Sequence, residues 1–257
     1  AEVYMYWKQY DLAVTNYRVS LQNKESNEAK LGLAKAYERH KNYQESIDTY
    51  KAIDKKQLSN YQLVSLYEGS GDTYFSIKNY ESSINAYKKG LEIANTHLIK
   101  PKVVDLNSKI AQAYNSNGRT EKAGQFFSNA LNLAEKGSKK RALEEKETVA
   151  EFNNRNRNYS EEIQLRKEIV EDVQRDSIIE NESALTLQKQ NYKIGNAYFL
   201  QKDYANAIPY LEKSREEADA KGDLVVKKDA TRKLSDVYVD AGDFENAQLT
   251  FEAYKLV

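Results

Sequence analysis

The chain has 257 residues, and its 39 Lys and Arg balance its 39 Asp and Glu, with two histidines and no cysteine. Without cysteine there is no disulfide, thiolate metal site or cysteine nucleophile, and two histidines leave little for imidazole chemistry. Because cations and anions are interspersed and cancel, the sequence argues against a cationic face for nucleic acid, and no run approaches the ~18 apolar residues of a membrane span.

The composition also favours helices over strands. Two prolines and ten glycines leave few residues that break a helix, and Ala, Leu, Glu, Lys and Gln dominate many windows. Hydrophobic residues make up only 40% of the chain and charged residues 30%, which is not typical of one large spherical core. We therefore expect an all-α fold.

In chain order, the predicted helices are marked by columns of residues that recur every 33 to 45 positions. The marker column is Tyr10, Tyr43, Tyr80, Thr120, Tyr159, Tyr204 and Phe244. Six residues before it comes a second, mostly aromatic column of Tyr4, Tyr37, Tyr74, Tyr114, Asn153, Tyr198 and Tyr238. Nine residues before it comes a small column of Ala1, Ala34, Gly71, Ala111, Ala150, Gly195 and Ser235. Seven residues after it comes a large column of Tyr17, Tyr50, Tyr87, Phe127, Arg166, Leu211 and Phe251.

These columns predict one pair of antiparallel helices in each repeat, because small residues let two helix axes approach and large residues fill the space one turn away. The first repeat begins at its midpoint, so we expect its leading helix to be missing or cut short. The chain then holds about six full repeats in a single solenoid. The predicted repeats span residues 1–26, 27–60, 61–100, 101–137, 138–180, 181–222 and 223–257.

The fifth repeat departs furthest from the columns. Asn153 and Arg166 stand where other repeats carry aromatic or large apolar residues, and Glu162 stands where a small residue is usual. We expect looser packing there.

The pattern resembles the tetratricopeptide repeat family along the whole chain, and most clearly in "GNAYFLQKDYANAIPYLEKS" at 195–214 and "SDVYVDAGDFENAQLTFEAY" at 235–254. Gly195, Tyr198 and Tyr204 fall on signature positions of that family. The proline that often ends a family repeat is missing, and the repeats are longer than usual. The resemblance implies an α-α superhelix of the extended-repeat type, similar to regions of bacterial sensory and regulatory proteins.

The same resemblance implies which residues face a ligand in the concave groove: the residue after the small column, the one three before it and the one four after it. The positions taken as candidates are Glu68, Asp72, Phe75, Gln112, Asn115, Glu147, Glu151, Tyr192, Asn196, Phe199, Arg232 and Asp236. Two neighbours on the same helix stripes, Glu144 and Lys189, join them.

Two patterns stand out within this groove. Glu144, Glu147 and Glu151 are like charges three or four residues apart on one helix, which fits either a cationic partner or an exposed charged face. Lys189, Tyr192, Asn196 and Arg232 loosely resemble the clamp with which some family members hold a peptide carboxylate. Their spacing differs from that clamp, and Asp236 intrudes.

No catalytic or cofactor arrangement emerges from the residues. The Gly69-Ser70-Gly71 stretch lacks the preceding strand of a phosphate-binding loop, and neither histidine has a second ligand at metal spacing. Six carboxylates lack the alternating oxygens and the central glycine of a calcium loop, namely Glu168, Glu171, Asp172, Asp176, Glu180 and Glu182. We expect no cofactor, no metal and no enzymatic activity.

The sequence therefore predicts a scaffold that binds a protein or peptide in its concave groove, with no nucleic acid and no membrane contact by this segment itself. The final residues "FEAYKLV" resemble repeat arrays that run into a following helix, as in the sensory part of a two-component signalling protein. A periplasmic or a cytoplasmic location fits that setting. The alternative is a standalone soluble or lipid-anchored scaffold for assembly or chaperoning.

Overall fold

The computed structural model describes residues 1–175 and 185–257, and its regular elements over those residues are all helical. The α-helices are α1 (Glu2–Tyr6), α2 (Tyr10–Asn23), α3 (Asn27–Arg39), α4 (Tyr43–Lys51), α5 (Asn60–Ser76), α6 (Tyr80–Thr96), α7 (Lys100–Ser116), α8 (Thr120–Glu135), α9 (Lys139–Arg155), α10 (Tyr159–Arg175), α11 (Leu187–Leu200), α12 (Tyr204–Lys221), α13 (Leu224–Ala241) and α14 (Phe244–Lys255). A short 3₁₀ turn, Lys55–Gln57, lies between α4 and α5. Consecutive helices pack against each other from α1 to α7 and from α9 to α14, which confirms the predicted all-α fold of helix pairs. The predicted repeat boundary at 180 and 181 lies outside the described residues.

One turn geometry joins the two helices of each pair. In all seven turns of the described chain, the marker residue is the first residue of the second helix. Two residues earlier the backbone has a positive φ, at Lys8, Lys41, Lys78, Gly118, Arg157, Lys202 and Gly242. The amide just before the marker donates to the carbonyl of the residue six before the marker, at 2.8 to 2.9 Å. This hydrogen bond is that of a left-handed helix cap, and it fixes the six-residue spacing of the two columns.

The small column lies where the paired helices come closest. Ala34, Ala111 and Ala150 have no exposed surface, and the ring of Tyr87 lies so close to Gly71 that a Cβ there would sit 2.3 Å from it. Small and large side chains therefore interlock as predicted.

A cation and a tyrosine hydroxyl join consecutive repeats. The residue eight positions after the marker of one repeat donates to the column tyrosine of the next repeat, at 2.7 to 2.8 Å, with its charge 5.3 to 5.4 Å from the ring centroid. The pairs are Arg18 with Tyr37, Lys88 with Tyr114 and Lys167 with Tyr198. Each contact combines a hydrogen bond with a cation–π interaction.

The described chain forms two compact units, Ala1–Leu133 and Ala134–Val257, called unit 1 and unit 2 below. In each unit the odd-numbered helices are the first helices of their pairs and the even-numbered helices are the second. The description of the chain as one uninterrupted solenoid stays a prediction.

Candidate functional site

One candidate site is a cavity of about 590 Å³ in unit 1, which we call the unit 1 groove. Its walls come mainly from the first helices α3, α5 and α7. The charged residues that line it are Glu2, Glu28, Lys35, Glu38, Arg39, Glu68, Asp72, Lys102 and Lys109. Its volume lies within the range of typical ligand-binding clefts.

Glu68 and Asp72, both predicted from the sequence, lie at the base of this groove and already have cationic partners. Lys102 Nζ is 2.6 Å from Glu68, and Lys109 Nζ is 3.1 Å from Glu68 and 2.7 Å from Asp72. The Tyr87 hydroxyl also donates to Asp72 at 2.7 Å. These carboxylates therefore hold α5 and α7 together, and what remains for a ligand is the rim of the groove.

The ion pairs of Glu68 predict an acid-sensitive contribution to stability. Burial alone would raise the pKa of Glu68, but Lys109 and Lys102 outweigh it and hold the pKa below its ordinary value of 4.5. Since the folded pKa is the lower one, the carboxylate stabilises the fold above pH 4.5, and this contribution is lost as the pH falls through the folded value.

We expect the free energy of unfolding of Glu68→Gln, measured in urea at pH 7 and at pH 3, to fall less on acidification than that of the wild type. Glu45→Gln is the control, because Glu45 is exposed on α4. An identical pH dependence of Glu68→Gln and wild type would contradict this assignment.

Two tyrosines from second helices reach the unit 1 groove past glycines of the first helices. A Cβ on Gly32 would lie 2.4 Å from the ring of Tyr17, and one on Gly69 would lie 2.0 Å from the hydroxyl of Tyr50. Burial, and then the charge of Asp72, raise the pKa of Tyr50. The repeat columns did not mark these tyrosines as groove residues, although glycines two positions before the small column were the available signal.

In unit 2, Arg166 and Glu162, two residues of the fifth repeat that depart from the columns, belong to a buried ionic cluster. Arg166 is 1% exposed, and its guanidinium donates to Glu162 at 2.7 Å, Glu147 at 2.9 Å and Glu151 at 3.0 Å. Glu162 is equally buried and also accepts from Asn154 at 2.8 Å. The looser packing expected of this repeat is therefore wrong for these side chains, since Arg166 fills the large position and finds its counterions on α9 and α10.

The chain itself supplies cations to the acidic stripe that we expected to attract a cationic partner. Lys193 Nζ lies 2.5 Å from Glu147 and 2.7 Å from Glu151, and Arg141 lies 3.2 Å from Glu144. Burial alone would raise the pKa of Glu151, but Lys193 and Arg166 outweigh it and lower that pKa. A partner cation is thus not needed to neutralise most of this stripe.

The structure brings some of the other predicted residues together. Tyr192 and Asn196 line a cavity of about 140 Å³ beside Arg166. Burial, and then the charges of Asp229 and Asp236, raise the pKa of Tyr192. Arg232 is exposed on the same helix as Asp236. The carboxylate clamp that includes Lys189 stays a prediction.

The remaining predicted residues divide into packing and exposed positions. The ring centroids of Phe75 and Tyr80 are 5.5 Å apart, and those of Phe199 and Tyr204 are 6.1 Å apart. Both phenylalanines therefore pack near the marker residue of their own repeat. Gln112 is exposed and Asn115 is half-buried on α7. Sequence position alone therefore did not separate ligand-facing side chains from packing ones.

The described part of the chain holds no group of three or more His, Asp or Glu that could bind a metal. His40 contacts Asn42 at 2.5 Å and His97 contacts Asn60 at 3.0 Å, all at exposed positions. Three carboxylates of the predicted solvated run lie outside the described residues, namely Asp176, Glu180 and Glu182. Over residues 1–175 and 185–257, no helix is both long enough and apolar enough to cross a membrane.

Stacked helix pairs with a groove between their first helices define the class of α-solenoid scaffolds for protein–protein interaction. Models of the tetratricopeptide repeat match residues 1–60, 64–97, 104–136 and 191–216, together more than half of the chain. The chain belongs to the tetratricopeptide repeat family. The stretch from 137 to 190, which neither model matches, contains the Arg166 cluster.

Solved structures share this fold at low sequence identity. The apo form of RapI has a TM-score of 0.76 and 18% identity, over 99% of this chain and 73% of that one. Aspartyl phosphate phosphatase F from Bacillus subtilis has a TM-score of 0.64 and 17% identity, over 98% and 71%. A signal transduction ATPase with a tetratricopeptide repeat sensor, from Pyrococcus horikoshii, has a TM-score of 0.74 and 18% identity, over 90% of this chain and 36% of that one. No curated protein matches this chain in sequence.

Proposed function

We propose that this chain is a non-enzymatic scaffold that binds a segment of a protein partner in the unit 1 groove. The observation that carries the proposal is the cavity of about 590 Å³ bounded by first helices of three consecutive repeats. Its base is held by the pairs of Lys102 and Lys109 with acidic residues, so a partner meets a preorganised surface. This preorganisation reduces the entropy lost on binding.

The rim of the groove offers the groups that a partner can contact without breaking those pairs. Tyr61 is 58% exposed at the rim, and it presents a large aromatic surface of the kind that often dominates binding energy. Lys35 is exposed in the same lining, and no carboxylate of the described residues pairs with it within 4.0 Å. Glu28, about two helical turns before Lys35 on α3, adds the opposite charge.

The test is affinity capture from the organism that makes this protein, followed by titration of the purified partner. We expect Lys35→Glu combined with Tyr61→Ala to weaken binding of the partner at least tenfold, because both side chains are exposed contacts rather than core. Lys213→Glu is the matched control, since Lys213 is exposed on the second helix α12. Equal affinity of the groove variant and the control would contradict the proposal.

We further propose a regulatory signalling setting, such as the sensory region of a two-component protein. The support is fold similarity to an aspartyl phosphate phosphatase and to a signal transduction ATPase with a repeat sensor. The full coding sequence tests it: a kinase or other output domain joined to these repeats supports signalling. A coding sequence that adds only a signal peptide, a lipid anchor or a short tail favours the assembly or chaperone scaffold instead.

A further inference from the structure

Unit 1 carries a second cavity, of about 320 Å³, outside the unit 1 groove. It lies between the second helices α4 and α6, with α5 as its third wall. Helix α4 has nine residues and α6 has seventeen, and the α6 residues that line the cavity lie between Ser82 and Lys89. The chain leaves α4 into the turn Lys55–Gln57, and the space beside α6 stays open.

Every charged side chain that lines this cavity is positively charged. Lys51, Lys55 and Lys89 line it, together with Tyr67 and Tyr74, and its lining includes no carboxylate. We call it the lysine pocket. In a chain with equal numbers of acids and bases, and beside a groove where Lys102 and Lys109 are paired with acids, this is a local excess of positive charge.

The three ammonium groups are available to a ligand. Within the described ranges, none of them pairs with a carboxylate at 4.0 Å or less. Lys55 Nζ lies 5.6 Å and Lys89 Nζ 5.9 Å from the centroid of the Tyr67 ring, so both ammonium groups lie close to the same aromatic ring. A cation–π contact of this kind orients an ammonium group without neutralising it.

The rest of the lining has an apolar and a polar side. Ile47, Leu66 and Ala86 are buried apolar residues in the wall. Hydroxyl and amide groups complete the lining, from Ser70, Tyr74, Ser82 and Asn85. A cavity of this composition fits an anion that carries an apolar body, since the volume exceeds what one anionic group fills.

We propose that the lysine pocket binds a phosphate monoester whose organic part is small and apolar. Three separate ammonium groups suit a phosphoryl dianion, because lysine binds phosphate as a point charge and the dianion carries twice the charge of a carboxylate. The hydroxyl and amide donors can share the phosphoryl oxygens, and the apolar wall can hold the ester group. A free metabolite and a phosphorylated side chain of a protein both supply this chemistry.

The experiment is calorimetric titration of the intact chain with phenyl phosphate at low, fixed ionic strength. We expect saturable binding of one equivalent, weakened about fivefold by Lys55→Gln and about fivefold by Lys89→Gln, the loss of one exposed charge contact each. Lys56→Gln is the matched control, because Lys56 lies in the same turn as Lys55, has the same charge and does not line the cavity. Circular dichroism of each variant verifies that it is folded.

Further ligands define the chemistry and its source. Inorganic phosphate and phenylacetate should each bind at least tenfold more weakly than phenyl phosphate, since one lacks the apolar body and the other the second charge. A peptide with one phosphotyrosine that binds more tightly than phenyl phosphate identifies a protein source, and one that binds more weakly identifies a free ester.

Three results would overturn the proposal: no saturable binding of phenyl phosphate, equal affinity of Lys55→Gln, Lys89→Gln and Lys56→Gln, or equal affinity for phenyl phosphate and inorganic phosphate. None of these results bears on partner binding in the unit 1 groove, because the groove and the lysine pocket share only the side chain of Tyr50 in their linings.

Discussion

Replacing Arg166 by methionine should lower the free energy of unfolding by about 3 to 5 kcal/mol, the usual loss when one partner of a buried ion pair is removed. Methionine is a long, unbranched side chain like arginine, but it leaves Glu147, Glu151 and Glu162 without the guanidinium that now donates a hydrogen bond to each of them. The loss is largest at Glu162, because this carboxylate is only 1% exposed. Urea denaturation at pH 7 measures the change.

Arg175→Met is the control, because Arg175 lies on the same helix with its side chain 72% exposed, and its replacement should cost less than about 0.5 kcal/mol. A second variant separates charge from packing: Arg166→Leu combined with Glu162→Ala installs the residues that the sixth repeat carries at these positions, Leu211 and Ala207. We expect it to be more stable than Arg166→Met. Equal stability of Arg166→Met and Arg175→Met would refute the role of the cluster.

Gly71→Ala should destabilise unit 1 by about 2 kcal/mol, although alanine is ordinarily the better helix former by about 1 kcal/mol. The new Cβ would lie 2.3 Å from one ring carbon of Tyr87 and 2.4 Å from another. Tyr87 is 3% exposed and its hydroxyl donates to Asp72, so the ring has no free direction in which to move. Thermal or urea unfolding shows the sign of the change.

Gly90→Ala provides the matched comparison in the next helix of the same unit. A Cβ on Gly90 meets its nearest atoms at 3.4 Å, an ordinary contact, so this substitution should be neutral or stabilising. The double variant Gly71→Ala with Tyr87→Leu lacks the aromatic ring that the new methyl group would meet. It should lose less free energy of unfolding than the sum of the two single variants. A stabilised Gly71→Ala variant would contradict the close approach of these two helices.

Sequence periodicity predicted the helix pairs because the turn between them is built the same way each time. The six-residue spacing of the aromatic columns follows from one hydrogen bond at the helix cap, and even Thr120, which breaks the aromatic pattern, begins α8 at the expected place. The left-handed residue of that turn was less predictable. Glycine is the residue expected there, yet Lys41, Lys78 and Arg157 occupy it, at a cost of roughly 1 kcal/mol each.

The candidate site was predicted only in part, because side-chain pairing depends on contacts between distant repeats. Glu68 and Asp72 were placed on the correct face, but their partner Lys109 follows 37 residues after Asp72. Arg166 was recognised only as a departure from its column. Nothing in the local sequence indicates that it pairs with glutamates of α9, or that Lys193 shares two of those glutamates. In the fold, Arg166 is buried and donates hydrogen bonds to four side chains.

In the proposed function, a protein partner binds along the first helices of unit 1. Hydrogen–deuterium exchange of the chain, measured alone and saturated with its captured partner, shows whether it does. We expect amide protection to rise in α3, α5 and α7, the helices that line the unit 1 groove. Protection confined to α2, α4 and α6, with no change in the first helices, would contradict the claim.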